Sequence, residues 1–168
     1  MAKEVWEWVR SILIAVVLAL LFRMFLFEHF LVDGQSMYPT LRDSERIIVN
    51  KVVYRFNEPE NGEVIVFNYQ DRRDFIKRIV GVEGDVVEIR DNKFFRNGVV
   101  VKEDYLENVQ MSDYGPATVP PGSLFVLGDN RSNSRDSRYP DVGFVSIEEV
   151  KGRAALVFWP FDEARKIH

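Results

Sequence analysis

One serine, Ser36, stands in the segment VDGQSMYPTL (residues 32–41), between Gly34 and a Met-aromatic-Pro turn. A serine hydroxyl becomes a nucleophile when a neighbouring base takes its proton, and histidine is the usual base. The chain has two histidines: His29 adjoins a very hydrophobic segment, and His168 is the last residue, where chains usually fray. Neither is a convincing base, so a reactive Ser36 would need a lysine or a carboxylate.

Composition removes several other chemistries. The chain has no cysteine, which excludes thiol nucleophiles, disulfides and thiolate metal sites, and two histidines argue against a histidine-rich metal site. With 168 residues, 46% hydrophobic and 29% charged, it is typical of one globular domain. The net charge of -4 argues against nucleic acid as a partner, because phosphate binding depends on clustered Lys and Arg. We therefore expect neither a metal nor nucleic acid.

A candidate base lies in the segment DFIKRIVGV (residues 74–82). The alternation of a strand puts Lys77 on one face and Arg78 on the other. Two interpretations remain open for Lys77. It could be a surface lysine that protects an edge strand from aggregation. It could instead be buried, where desolvation disfavours the ammonium and leaves a neutral amine able to act as a base.

A third segment of interest is GDNRSNSRDSR (residues 128–138), a dense polar loop directly after an apolar strand. Its Asp, Asn, Ser and Arg side chains offer many local hydrogen bonds, as in an ordinary solvated loop. Loops on rigid strands are also where catalytic sites are assembled. In that second interpretation, a hydroxyl such as Ser134 could orient a neutral lysine.

The elements that must position these residues are short β-strands. Segments rich in β-branched residues and separated by Gly, Pro, Asn or Asp predict strands at 46–54, 63–69, 75–82, 85–90, 123–129 and 153–160. The segment FFRNGVVV (94–101) predicts a hairpin, since Asn97-Gly98 suits a tight turn with positive φ. We find no repeat or linker, and predict a mainly β fold: one antiparallel β-rich catalytic domain over residues 28–168.

The amino-terminal region predicts a membrane anchor over residues 1–27. The run ILIAVVLALLF (12–22) has no polar side chain, and a helix over 5–25 is long enough to cross a hydrocarbon core of about 30 Å. A cleaved signal peptide is disfavoured because the bulky MFLFEHFLV that follows offers no small-residue cleavage site. A buried core helix is the other alternative. We expect the amino terminus inside the cell and the catalytic domain outside.

The chain resembles the bacterial type I signal peptidases, membrane-anchored proteases that remove signal peptides from exported proteins. The resemblance rests on an ordered set of segments: the anchor, GQSMYPTL, NGEVIVFNY, DFIKRIVGVEGD and GDNRSNSRDSR. Each motif alone is weak, but the ordered set is specific and covers nearly the whole chain. The resemblance implies that Ser36 is the nucleophile, Lys77 the general base and Ser134 the hydroxyl that positions the lysine. It also implies that the loop supports the site through Asp129 and Arg138, with Asn130, Arg131 and Asp136 in the same motif.

The resemblance also implies the substrate. Shallow apolar pockets for small side chains at the first and third positions before the cut would give an Ala-X-Ala preference. The residues that would border these pockets are Phe30, Val32, Met37, Phe75 and Ile76, for each of which ordinary core packing is the alternative. The implied partners are secretory preproteins and the lipid bilayer, which the apolar MFLFEHFLV segment would keep close to the site. No cofactor is expected.

The chain departs from parts of the family pattern. Some members use a hydroxyl two residues before the nucleophile as a second oxyanion donor, beside the backbone N–H that Ser36 would supply; here Gly34 occupies that position. The resemblance is therefore to the short Gram-positive type. The segment YPDVG after Arg138 is longer than the common pattern. The large inserted domain and second anchor of some Gram-negative members are also not found.

Two other function classes remain open. A soluble, self-cleaving repressor-type protease shares the Ser-Lys chemistry, but would carry a DNA-binding segment in place of the anchor. A catalytically silent, membrane-anchored β-domain that binds exported partners is the alternative without enzymatic activity. Membrane fractionation separates the first class from a signal peptidase, and a peptide-cleavage assay separates the second.

Overall fold

The structure, a computed structural model, describes residues 2–70, 73–107 and 110–168. The helix α1 (Ala2–Leu26) has 25 residues and passes directly into the first strand at Phe27. A helix at this position agrees with the prediction. Among the described residues, no helix combines the length and the apolar character that a membrane crossing requires.

The rest of the chain forms antiparallel strands, as predicted. In chain order these are β1 (Phe27–Leu31), β2 (Arg46–Asn50), β3 (Val64–Tyr69), β4 (Arg73–Gly81), β5 (Val86–Arg90), β6 (Lys93–Arg96), β7 (Val99–Val100), β8 (Tyr114–Thr118), β9 (Ser123–Leu127), β10 (Val145–Ser146), β11 (Val150–Trp159) and β12 (Arg165–Lys166). Short 3-10 helices at Val53–Arg55, Ile147–Glu149 and Phe161–Glu163 join some of them.

The larger sheet has eight strands in the order β1-β2-β11-β3-β4-β9-β10, with β12 added beside β11. β4 therefore lies inside the sheet, paired with β3 on one side and with β9 on the other. The interpretation of Lys77 as a lysine that protects an edge strand is wrong. The strand next to it, β9, leads directly into the loop 128–138, so the sheet brings two of the candidate segments together.

The smaller sheet has the order β7-β6-β5-β8. Its β6-β7 hairpin confirms the predicted turn, with φ of 53° at Asn97 and 77° at Gly98. The two sheets share a core cluster in which Val80 and Phe125 of the larger sheet pack with Val87 and Phe94 of the smaller one. This contact fixes β4 and β9 from the side of the smaller sheet.

A second core cluster anchors the segment that carries Ser36. Met37 and Leu41 are buried, and they pack in one cluster with Val49 of β2 and Val64 of β3. Burial of two apolar side chains within five residues of the serine holds the segment against the larger sheet. Ser36 itself remains partly exposed.

The strand predictions were wrong at some boundaries and missed four strands. The predicted strand 46–54 ends at Asn50, and Val53–Arg55 turns into a 3-10 helix. The sequence analysis did not predict β1, β8, β10 or β12. β1 was missed because its apolar residues continue the apolar pattern of the predicted anchor. β8 contains Gly115-Pro116, which argues against a strand by composition.

Candidate active site

Ser36 and Lys77, separated by 41 positions in the sequence, lie together in the structure. The Nζ atom of Lys77 donates to the Oγ atom of Ser36 at 2.8 Å and to the backbone carbonyl of Ile76 at 2.8 Å. Lys77 is 3% exposed, so the second of the two interpretations, a buried lysine, agrees with the structure. His29, the other base considered, is exposed on β1.

Burial lowers the pKa of Lys77 to about 8, because the protein interior disfavours the ammonium form. The carboxylates of Asp136 and Asp129 act in the opposite direction and raise this pKa. Both carboxylates are paired with arginines, which reduces the negative charge that the lysine amine experiences. The site therefore combines a buried amine with carboxylates that are already neutralised.

Asp129 is paired with Arg78, which follows Lys77 on β4. Arg78 donates to Asp129 Oδ1 through Nε at 2.9 Å and to Oδ2 through Nη2 at 2.7 Å, and both side chains are buried. The Thr40 hydroxyl donates to the same carboxylate. This bidentate pair ties the loop to the strand of the candidate base and to the segment of the candidate nucleophile. The sequence analysis placed Arg78 on the strand but gave it no role.

Asp136 is paired in a similar way with Arg138. Arg138 donates from Nε and from Nη2, each at 2.8 Å, to the two carboxylate oxygens of Asp136, which is fully buried. The backbone N–H of Gly128 also donates to Asp136 at 3.0 Å. Asp129 and Arg138, both predicted to support the site, are thus parts of two bidentate ion pairs that brace the loop at its two ends.

Ser134 is buried near Ser36 but makes no hydrogen bond to Lys77. Its Oγ atom has no hydrogen-bond partner among the described residues. It packs against Gly128, where an added Cβ would clash with the Ser134 side chain and with the backbone carbonyl of Ser36. The structure thus brings Ser134 to the site, and its role as the hydroxyl that positions the lysine stays a prediction.

The loop also holds the backbone around Ser36. The N–H of Asn130 donates to the Ser36 carbonyl at 3.0 Å, and its side-chain amide donates to the Gln35 carbonyl at 3.1 Å. Within the part of the chain that the structure describes, no acceptor takes the N–H of Ser36 itself. At the position of the second donor used by some relatives, Gly34 has φ of 90°, and its N–H donates to Asp43.

A cleft of about 640 Å³ opens beside Ser36 and Lys77. Four of the five predicted pocket residues line it: Val32, Met37, Phe75 and Ile76. The fifth, Phe30, is partly buried against the core cluster of Met37 instead. Polar side chains that the sequence analysis did not consider also line the cleft, namely Asp33, Arg73, Asp74 and Arg135.

The longer segment after Arg138 folds back on itself. The N–H groups of Val142 and Gly143 both donate to the Tyr139 carbonyl, at 3.0 and 2.8 Å. Asp141 within it accepts hydrogen bonds from Arg135 and from the Tyr69 hydroxyl of β3. Asp141 therefore ties this segment to the sheet beside the cleft.

The family model described as "Signal peptidase, peptidase S26" matches residues 5–159. This range contains both sheets' main strands and all of the candidate site. The chain belongs to the peptidase S26 family of signal peptidases.

Within this family the chain is a type I signal peptidase, a serine endopeptidase, of the Gram-positive kind. It is 42% identical over 175 residues to Signal peptidase I S of Bacillus subtilis strain 168, and 43% identical over 175 residues to Signal peptidase I of Bacillus licheniformis. Each alignment covers 98% of this chain and 94% of the relative. A crystal structure of a signal peptidase I from Enterococcus faecalis V583 is similar, with a TM-score of 0.52 and 36% identity, over 58% of this chain and 97% of that one.

Proposed function

We propose that this protein is a membrane-anchored endopeptidase that removes amino-terminal signal peptides from exported preproteins, with Ser36 as nucleophile and Lys77 as general base. The observation that carries this proposal is the 2.8 Å contact between Ser36 Oγ and the buried Lys77 Nζ. A serine and a lysine in contact can do the chemistry that a serine and a histidine do in other proteases. The names of the relatives, which are signal peptidases, support the reaction and the substrate class.

In the first half of the reaction, neutral Lys77 accepts the hydroxyl proton of Ser36 while Oγ attacks the carbonyl carbon of the scissile peptide. The tetrahedral intermediate then collapses. The lysine ammonium returns the proton to the leaving amine, which departs as the new amino terminus of the mature protein. The signal peptide remains as an ester on Ser36.

In the second half, Lys77 takes a proton from a water molecule, which attacks the ester carbonyl. Collapse of this second intermediate returns the proton to Ser36 Oγ and releases the signal peptide with a free carboxylate. The negative oxygen in both intermediates would be held by the backbone N–H of Ser36, which has no acceptor among the described residues.

Substrate selection follows from the cleft. Met37 and Ile76 line the cleft as apolar residues next in sequence to the reacting pair, Ser36 and Lys77. We expect small residues at the first and third positions before the cut, the Ala-X-Ala preference that the resemblance to signal peptidases implies. The signal peptide would lie extended along the cleft past Val32 and Phe75.

The helix α1 supplies the anchor in this proposal. At 1.5 Å per residue, 25 residues span about 37 Å, which exceeds a hydrocarbon core of about 30 Å. Apolar side chains of this helix, among them Ile12, Leu13 and Leu18, are largely exposed among the described residues. A bilayer would cover them, with the amino terminus in the cytoplasm and residues 28–168 outside as the peptidase domain.

The test is cleavage of a purified preprotein and of an Ala-X-Ala reporter peptide by the full-length protein in detergent. We expect Ser36→Ala and Lys77→Arg to be inactive and folded, because arginine keeps the charge but stays protonated at usable pH. His29→Ala and Lys93→Arg, a change at an exposed lysine of β6, serve as matched controls and retain activity.

Near-normal cleavage by Lys77→Arg would exclude lysine as the base. Loss of cleavage in His29→Ala would indicate a histidine mechanism instead. If the wild-type protein bound the preprotein without cleaving it, the catalytically silent alternative would be correct. Recovery of the full-length protein in the aqueous fraction after membrane preparation would exclude the anchor.

A further inference from the structure

A segment that follows β7 of the smaller sheet contacts the loop 128–138 of the candidate active site. Residues 101–107 follow β7 and belong to neither sheet. Two side chains of this segment, Glu103 and Tyr105, contact arginines that hold the loop 128–138. The proposed mechanism assigns them no role, although both are partly buried.

Glu103 forms a bidentate ion pair with Arg131. Arg131 donates from Nη1 to Glu103 Oε2 at 2.7 Å and from Nη2 to Oε1 at 2.5 Å. The side chains are 1% and 7% exposed, for Arg131 and Glu103 respectively. A pair this well buried is shielded from salt and from water, and removal of one partner leaves an uncompensated charge in the interior.

Arg131 also contacts the turn at residues 128–130, which lies next to Ser36. Its Nε atom donates to the carbonyl of Gly128 at 3.0 Å. The next residues of the turn hold the nucleophile, since the Asn130 N–H donates to the Ser36 carbonyl at 3.0 Å. Gly128 itself packs against that same carbonyl. A shift of Arg131 would therefore move the backbone on which Ser36 rests.

Tyr105 strengthens the same contact from the other side. Its hydroxyl donates to Glu103 Oε1 at 2.7 Å, and its ring lies 4.0 Å from the guanidinium of Arg78, the partner of Asp129. Burial and the Glu103 carboxylate raise the pKa of Tyr105, so the hydroxyl stays protonated as a donor. One short segment thus contacts both arginines that fix residues 128–131.

We propose that Glu103 is a positioning residue for peptide cleavage. By holding Arg131, it fixes the turn at residues 128–130 and, through this turn, the backbone of Ser36. The inference depends on the proposed role of Ser36 as nucleophile. It gives the segment 101–107 a part in the reaction, although none of its residues lines the cleft.

The experiment compares Glu103→Gln with the wild type, both full-length in detergent, on an Ala-X-Ala reporter peptide. We expect kcat to fall by about tenfold to a hundredfold, because small displacements of a nucleophile have effects of this size. KM should change little, since the cleft walls are not touched. The pH midpoint of kcat should rise, because a relaxed turn admits water to Lys77 and makes its ammonium less costly.

Two further variants test the direction of the effect. Glu103→Asp keeps the carboxylate and should recover part of kcat. Asp104→Asn makes the same carboxylate-to-amide change one residue along, in an ion pair with Lys102 whose side chains are 74% and 84% exposed, and should leave kcat, KM and the pH midpoint unchanged.

A Glu103→Gln protein with a lower melting temperature but wild-type kcat and pH midpoint would overturn the proposal. If that variant does not fold, Tyr105→Phe decides, because it removes one hydrogen bond to Glu103 and keeps the ring over Arg78. A lower kcat at constant KM supports the proposal, and an unchanged kcat refutes it. Cleavage by Ser36→Ala would instead refute the proposed function, whatever Glu103 does.

Discussion

At the scale of single residues, the site consists of the buried amine of Lys77 and the arginines that neutralise the carboxylates near it. Lys77 is a lysine on an interior strand, where its ammonium form is disfavoured. The sequence alone left its burial open because one strand does not show what packs on it. The charged groups near Lys77 come from distant positions in the sequence: Asp129 and Asp136 lie after β9, and each is paired with an arginine, Arg78 and Arg138 respectively.

The pH dependence of cleavage follows from Lys77. In the proposed mechanism the neutral amine is the active form, and its population increases as the pH rises through the pKa of about 8. We therefore expect kcat on a reporter peptide to increase with pH and to reach half its maximum near pH 8. The measurement is a profile of kcat against pH from about 6 to about 10, a range that extends to both sides of this pKa.

The control for this profile is His29→Ala, which should give the same midpoint. A midpoint close to 10.5, the ordinary value for a lysine, would show an amine in contact with water.

The lowered pKa of Lys77 also affects the stability of the folded protein. Between about 8 and 10.5 the unfolded chain binds a proton that the folded chain lacks, so stability increases with pH in this window. Lys77→Met should remove that increase.

The hydroxyl of Ser134 gives a second prediction at this scale. We expect Ser134→Ala to lower kcat without abolishing it, because the proposed nucleophile and base remain while a polar group beside them is lost. We expect no loss of thermal stability, since the Oγ atom is buried without a hydrogen-bond partner among the described residues. Parallel measurements of kcat and of the melting temperature test both parts.

An unchanged kcat in Ser134→Ala would remove this hydroxyl from the site. A large loss of stability would show that it makes a hydrogen bond that matters for folding. Ser137→Ala is the matched comparison, because its buried hydroxyl accepts a hydrogen bond from the Val126 N–H at 2.9 Å and should cost about 1 kcal/mol of stability when removed.

At the scale of elements, the site is assembled from the segment that carries Ser36, the interior strand β4 and the loop 128–138, called the braced loop below. The strand and both loops were predictable in place, because β-branched runs and polar clusters are visible in the sequence. Their mutual contacts were not, since Arg78 reads only as a second cation on a strand and Glu103 as one acid among many. The strand β8 was missed because its Gly-Pro pair contradicts the composition rule for strands.

The turn at Gly128 gives a prediction for the braced loop. Its Cα faces the Ser134 side chain and the Ser36 carbonyl so closely that no Cβ can be added without displacing them. We expect Gly128→Ala to lower stability by about 1–3 kcal/mol and to reduce kcat by about a hundredfold, because the nucleophile must move. Thermal unfolding and peptide cleavage measure the two effects.

Gly98→Ala is the control for this change. Gly98 lies in the β6-β7 turn, has φ of 77° and faces open space. An alanine there should cost about 1 kcal/mol of stability from backbone strain and leave kcat unchanged. If both alanine variants reduced kcat equally, the effect of Gly128→Ala would come from general destabilisation and not from contact with Ser36.

At the scale of the whole molecule, the structure separates an exposed helix from a β-domain with its own core. The three hydrophobic clusters of the described residues contain no side chain from α1. We therefore expect that a protein lacking residues 1–26, which keeps all of β1, remains folded and cleaves a short peptide. Its activity on a membrane-inserted preprotein should be reduced, because enzyme and substrate are no longer held at one surface.

Circular dichroism and cleavage of the two substrates test this prediction. Full-length protein in the same detergent is the control. A truncated protein without β-structure would show that α1 is part of the fold, and equal activity on both substrates would show that the anchor does not concentrate the enzyme with its substrate.

The pairing of β2 with β11 affects how the protein folds during its synthesis. Asn50 lies opposite Arg153, so a strand near the start of the domain finds its partner only after about a hundred further residues have been made. β3 waits for the same strand. During synthesis, the segment of Ser36 therefore has no completed sheet to rest on. The sheet that supports Ser36 is completed only after β11 has been synthesised, so we expect a nascent chain that ends before β11 to be inactive.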